Sequence, residues 1–157
     1  MADSVQAKKV FDTLTEMLDY KGWHYERDEE TLVVKSGVQG DDLPIQFLIV
    51  VNAEKELVQF LSKLPFSVRE EKRVDLAVAI CIANNGMLDG SFDYDMEDGS
   101  IIFRLTSSFR AGSVLTSEVF DYMITVSAMT IDRYNDKFLM LSKGMMTIEK
   151  FYQSETN

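Results

Sequence analysis

Apolar residues near the start of the chain recur at helical spacing: Val10, Leu14, Met17 and Leu18, with Phe11 beside them. That spacing gathers them on one helix face. Asp3 and Gln6 stand at capping-box spacing, in which each side chain covers the other's exposed backbone N–H. Gly22 is the stop, since glycine accepts the left-handed conformation that ends a helix. The period then changes. Trp23, Tyr25 and Arg27 alternate with His24 and Glu26, and residues 32–34 are short and β-branched. Residues 37–42 read as a loop and 45–51 as a strong apolar strand. Residues 57–64 stay ambiguous, because Leu57, Phe60, Leu61 and Leu64 fit a helix face while the short length and Pro65 fit a strand.

Residues 68–84 predict a second helix, with Ser67 and Glu70 again at capping-box spacing. Val74, Ala77, Val78, Cys81 and Ile82 share a face, and the rest of 76–83 is apolar too, so this helix is expected to be buried nearly all round. Residues 84–86, Asn-Asn-Gly, end it. Residues 91–109 predict a hairpin about a two-residue turn at Asp98 and Gly99, because both residues accept positive φ. In that register Met96 faces Ile101, Tyr94 faces Phe103 and Phe92 faces Leu105, which makes one face core. Asp93 then sits opposite Arg104 as a stabilising charge pair. Thr116 is the expected N-cap of the last third, with Leu115 and Phe120 placed as a hydrophobic staple. Val119, Phe120, Met123, Ile124 and Ser127 continue the pattern, which resumes after Tyr134 and Asn135 with Phe138, Leu141, Met145, Ile148 and Tyr152. Periodicity leaves one long helix or two equally open.

Several of these pieces resemble the YbjN family, bacterial proteins described as sensory transduction regulators. They are Leu64-Pro65 before the middle helix, the helix end at 82–86, and Gly90-Ser91-Phe92-Asp93-Tyr94-Asp95. That last segment runs into residues 97–104, and Leu115-Thr116-Ser117-Glu118 opens the final helix. The resemblance covers about residues 5–135. It implies an α+β fold like that of type III secretion chaperones, an antiparallel sheet with helices packed on it in the order α-β-β-β-β-α-β-β-α. It also implies a strand at 57–64. Such chaperones dimerise and bind extended protein segments, and the family has no established catalytic residues. Residues 1–157 read as a single domain of this kind, with a Met-rich helical extension at about 135–152.

Composition narrows the work. The chain has 157 residues, 46% apolar and 27% charged, which is one ordinary globular domain. A net charge of −10 disfavours a phosphate backbone, so no nucleic acid is expected as a partner. Residues 74–103 hold six acids and no Lys or Arg, which would also repel an anionic membrane. The longest apolar run, 76–83, is far short of the ~20 residues that span a bilayer. The first residues carry no apolar signal segment, and one free cysteine suits a reducing compartment, so a cytoplasmic place is expected.

Candidate chemistry is sparse. The acids of 89–98 have the look of a calcium loop, yet the EF-hand needs Gly sixth and Glu twelfth, where Asp98 and Arg104 stand; a solvated strand face is the better reading. His24 is the only histidine, too little for a zinc site or a triad. Cys81 in its apolar helix reads as a core residue rather than a nucleophile. No glycine-rich loop has phosphate-cradling spacing. No cofactor, metal or catalytic residue is expected. Five of nine methionines lie at 123, 129, 140, 145 and 146, and Met-rich faces adapt to varied partners. Phe138, Met140, Leu141, Met145, Met146 and Ile148 are therefore the candidate partner or dimer surface, weighed against a plain core helix. The expected function is a non-enzymatic, chaperone-like or regulatory module binding a protein partner or a second copy. A small-molecule sensor and a carboxylate-based metal enzyme are the alternatives.

Overall fold

The computed structural model describes residues 2–156, with side chains from Ser4 onward. The expected capping role of Asp3 falls outside the described side chains. Helix α1 (Ala2–Tyr20) buries the face its spacing implies: Ala7, Val10, Phe11, Leu14, Met17 and Leu18. It closes with Trp23 N–H on the Leu18 carbonyl (2.9 Å) and Gly22 N–H on the Asp19 carbonyl (3.1 Å), the paired bonds of a Schellman end.

Six strands follow in two groups. β1 (Tyr25–Asp28), β2 (Val33–Gln39), β3 (Pro44–Asn52) and β4 (Leu57–Ser67) run before helix α2 (Arg73–Asn85), and β5 (Ser91–Tyr94) and β6 (Ser100–Ser108) after it. Helices α3 (Ser117–Ser142) and α4 (Ile148–Thr156) complete the chain. All neighbouring strands are antiparallel, in the order β1-β2-β3-β4-β6-β5. The segment 57–64 is a strand, and β4 carries its Pro65 at a register shift between Lys63 and Ser67, where a residue without an N–H costs no ladder bond.

The alternation of the strands sorts the sheet into two faces. Val34, Ile45, Phe47, Ile49, Val51, Val58, Phe60, Phe92, Phe103 and Leu105 point inward and are buried. α1 and α3 pack over this inner face, and a single core cluster runs from it through all four helices.

Several expectations change. The loop at 37–42 is shorter, because β2 continues to Gln39 with Gly37 opposite Gln46. No capping box forms at Ser67 and Glu70, since Ser67 is still paired in β4 and a 3-10 turn, Glu70–Lys72, leads into α2. α2 is not buried all round. Its inward residues are Leu76, Ala79, Ile80 and Ala83, while Val74 and Val78 are 69% and 46% exposed and Cys81 is exposed too. Of the residues expected on the core face, Val74, Val78 and Cys81 point outward, Ala77 is half-buried, and Ile82 is half-buried against the core. With apolar side chains all round, packing rather than periodicity selects the buried face.

The hairpin closes two residues earlier than a two-residue turn allows. Phe92 faces Phe103, Asp93 faces Ile102 and Tyr94 faces Ile101, and Met96 is 47% exposed in the loop. A two-residue turn of that type needs two positive φ angles, and of the pair only Gly99 (φ 75) supplies one. The four-residue loop is held instead by the Asp95 carboxylate accepting from Glu97 N–H (2.7 Å) and the Asp98 carboxylate accepting from Ser100 N–H (2.7 Å). Those Ser100 bonds hold the Asp98 carboxyl below its ordinary pKa. A shift of two keeps every side chain on its face. Asp93 and Arg104 still meet, diagonally, through two bonds of 2.9 and 3.0 Å.

Thr116 caps α3, its hydroxyl accepting from Val119 N–H at 3.4 Å. The last third is two helices, and the break falls at 143–147 rather than at Tyr134 and Asn135, both of which are buried inside α3.

Candidate functional site

Among the described residues the helices pack on the inner face of the sheet, and the outer face stays partly open to solvent. Its central rows follow from the register. Lys35, Leu48, Leu61 and Arg104 form one row across four strands, and Val33, Val50, Gln59 and Thr106 form the next. Lys63 and Ile102 pair in the row beyond Leu61. Val33, Val50, Leu61 and Ile102 are only half-buried, and Leu48 is 38% exposed. Together they make a contiguous apolar strip about 10–15 Å across four strands spaced ~4.8 Å apart. Leu48, Leu61 and Ile102 line a shallow depression of about 420 Å³ whose rim includes Lys35 and Lys63. Neither lysine forms a close ion pair among the described residues, but each has a carboxylate of the chain nearby: Glu26, opposite it in the register, and Asp28 for Lys35, and Asp98 for Lys63. Arg104 is occupied by Asp93. An apolar strip with lysines at its rim has the chemistry to bind chain that is apolar and acidic.

The expected partner residues are split by the structure. Phe138 and Leu141 are core, at 0% and 2% exposure, and are not available as surface. Phe138 sits in an aromatic cluster with Phe92 (centroids 5.1 Å) and Tyr134 (5.7 Å), which is why it turns inward. Met140, Met146 and Ile148 are half-buried, the last two packed against the core. Met145 is 70% exposed. The apolar excess of the C-terminal region is thus mostly consumed in attaching α4 to the body of the domain.

Other candidates resolve plainly. Cys81 is exposed rather than core. His24 lies just before β1, exposed, its carbonyl accepting from Ser36 Oγ (2.8 Å). Among the described residues no group of three or more His, Cys, Asp or Glu is placed to hold a metal, and no helix is long and apolar enough to cross a membrane.

The outer strip escaped the sequence reading, though a signal was present. Residues 45–51 are apolar at nearly every position, not at alternate ones. A strand apolar on both sides asks for cover on both sides, and here only one side has it.

Comparison with known proteins bears on the fold. A family model named YbjN, described as "putative bacterial sensory transduction regulator", matches residues 11–140. No curated protein matches the sequence. Among solved structures, YbjN from E. coli, described as "a putative transcription regulator", superposes with a TM-score of 0.60 at 19% identity, covering 78% of this chain and 85% of that one. A chain of the ExsC–ExsE complex superposes with a TM-score of 0.53 at 19% identity, covering 80% of this chain and 92% of that one. The fold is accordingly that of YbjN and of type III secretion chaperone-like proteins, as the resemblance implied.

Proposed function

The chain belongs to the YbjN family, and from that premise we propose that it is a non-enzymatic interaction module that receives an extended, apolar and acidic segment of a protein partner on the outer face of its sheet. The observation that carries this is the uncovered strip of Val33, Leu48, Val50, Leu61 and Ile102 beside Lys35 and Lys63, which make no close ion pair among the described residues. Charge supports an acidic occupant: Lys35 and Lys63 stand at the rim of the apolar centre, where an incoming carboxylate would compete with the chain's own Glu26, Asp28 and Asp98. ExsC, which shares the fold, is known in a complex with ExsE, which supports a protein as the cargo. A regulatory role follows if the captured segment belongs to a transcriptional or signalling protein, and the cytoplasm is the proposed place of work.

A second copy suits a different surface. Val74, Val78 and Cys81 form an exposed apolar ridge along α2, and two such ridges could pack against each other. Met145 remains on the surface as a further contact.

The test uses Leu48→Asp and Leu61→Asp, with Val78→Asp as the contrast. Proteins captured by the wild type and lost with both sheet variants, while Val78→Asp retains them, would support the reading. Undiminished capture by both sheet variants would overturn it. Light scattering on the same samples checks the second copy: Val78→Asp should halve a doubled mass, and a monomeric wild type would remove that reading.

A further inference from the structure

The last helix is attached in the manner of a ligand. α4 is nine residues long, too short to hold a helical shape by itself, and it lies beyond the residues matched by the family model. Two anchors hold it. Phe151 is fully buried, its ring centroid 5.9 Å from that of Phe138 and 6.4 Å from that of Tyr134. One turn on, the Glu155 side chain is 7% exposed and accepts from Lys137 Nζ (2.7 Å), Tyr134 Oη (2.7 Å) and Arg133 Nη2 (3.0 Å). Burial by itself would raise the Glu155 pKa, but the bonds from Lys137 and Tyr134 and the two cations outweigh it and hold the carboxyl below its ordinary value. The same contact and burial push Tyr134 up to about 12.

An open groove of about 500 Å³ runs along one side of α4, between Tyr152 and Glu155 of α4, Cys81, Ile82 and Asn85 of α2 and Arg133 of α3. Tyr152, which borders it, stays 54% exposed. The connection back to α3 is five residues and reverses at Gly144 (φ 72), whose N–H meets the Leu141 carbonyl (3.1 Å) while Met145 N–H meets the Met140 carbonyl (2.8 Å), so α3 is closed off before α4 begins and α4 is a separate helix. Ile148, Phe151, Tyr152 and Glu155 stand at the i, i+3, i+4, i+7 positions by which amphipathic helices enter grooves.

We propose that the groove between α2 and α3 is a helix-binding site, that α4 is its resident occupant, and that a protein partner enters it with an amphipathic helix bearing an aromatic residue and a carboxylate four positions apart. Complementarity fixes that chemistry. The groove presents an aromatic pocket and, one turn away, two cations and a phenol, and a helix without the carboxylate would leave Lys137, 23% exposed, without its partner. This site is separate from the outer sheet face and does not depend on it.

The experiment uses the full chain and a fluorescent peptide of residues 145–156. Phe151→Ala empties the pocket of its own anchor, so the variant should bind the peptide about tenfold or more tighter than the wild type does, the resident helix no longer competing. A peptide carrying Glu155→Gln should bind the variant more weakly. Equal binding to both proteins, or indifference to the Glu155→Gln change, would overturn the proposal. So would loss of the variant's cooperative melt, which would make α4 part of the core. Hydrogen exchange on the wild type gives an independent reading: α4 amides should open separately and much faster than those of mid-α3, and shared protection of the two helices overturns the idea. A doubled wild-type mass that Phe151→Ala abolishes would assign the groove to the α4 of a second copy instead.

Discussion

The two faces of the sheet are built from the same strands and nearly the same residue types, yet they do different work. Ile49 and Phe60 on the inner face are fully buried under α1 and α3; Leu48 and Leu61, their immediate neighbours along the same strands, reach solvent. Burying such a side chain stabilises by roughly 1.5–3 kcal/mol, and on the inner face the protein's own helices supply that cover. On the outer face no helix among the described residues supplies it, and the proposed partner segment would. A side chain's neighbours in the sheet therefore say little about its role; what lies above it decides.

The sharpest way to test that contrast is to delete one inner residue. Phe60→Ala should cost about 3–5 kcal/mol, read as a large fall in melting temperature, because Phe60 stacks on Phe120 of α3 (centroids 6.5 Å) with no solvent to fill the gap. A fall of only a degree or two would mean that the helix layer is loose and the two faces alike. One position along, Leu61→Asp should cost less, about 1 kcal/mol, since the half-buried side chain gives up part of its apolar contact while the carboxylate reaches water near Lys63. Thermal unfolding of this variant next to Phe60→Ala breaks the comparison if both melt equally early. The smallest effect is expected for Asp93→Asn, which removes one partner of an exposed pair worth at most about 1 kcal/mol. Its salt dependence should vanish with it, and any loss of a metal-dependent activity would revive the enzyme alternative.

How much of this was legible depended on how many answers a pattern allows. α1 has one apolar stripe on a polar helix, and its core residues follow directly from spacing. α2 is apolar almost everywhere, so spacing selects no face, and Val74, Val78 and Cys81 end up outward when Leu76, Ala79 and Ile80 meet the core. Phe138 and Leu141 were legible as apolar, with core and surface both open, because the Phe151 ring that packs on Phe138 belongs to a helix recognised only once the chain turns at Gly144. Capping was legible at Thr116, where a hydroxyl precedes an unpaired helix start, and misleading at Ser67, where strand pairing takes the residue first. The outer strip could be seen as apolar; that it lacks a cover is a property of the whole topology and of no local segment.

The hairpin of β5 and β6 has a consequence for how this fold tolerates change. Its inward set survived a displacement of two residues between turn chemistry and actual pairing, with Asp93 and Arg104 finding each other diagonally. A slip of the pairing by two residues keeps Phe92 on the core face, whereas a slip by one would turn Phe92 to solvent and Asp93 to the core; residues added within Met96–Gly99, outside the ladder, move neither. The acidic tip is therefore a place where a short peptide could be grafted while the strand pairing beneath it stays fixed by Phe92, Phe103 and Ile101 in the core.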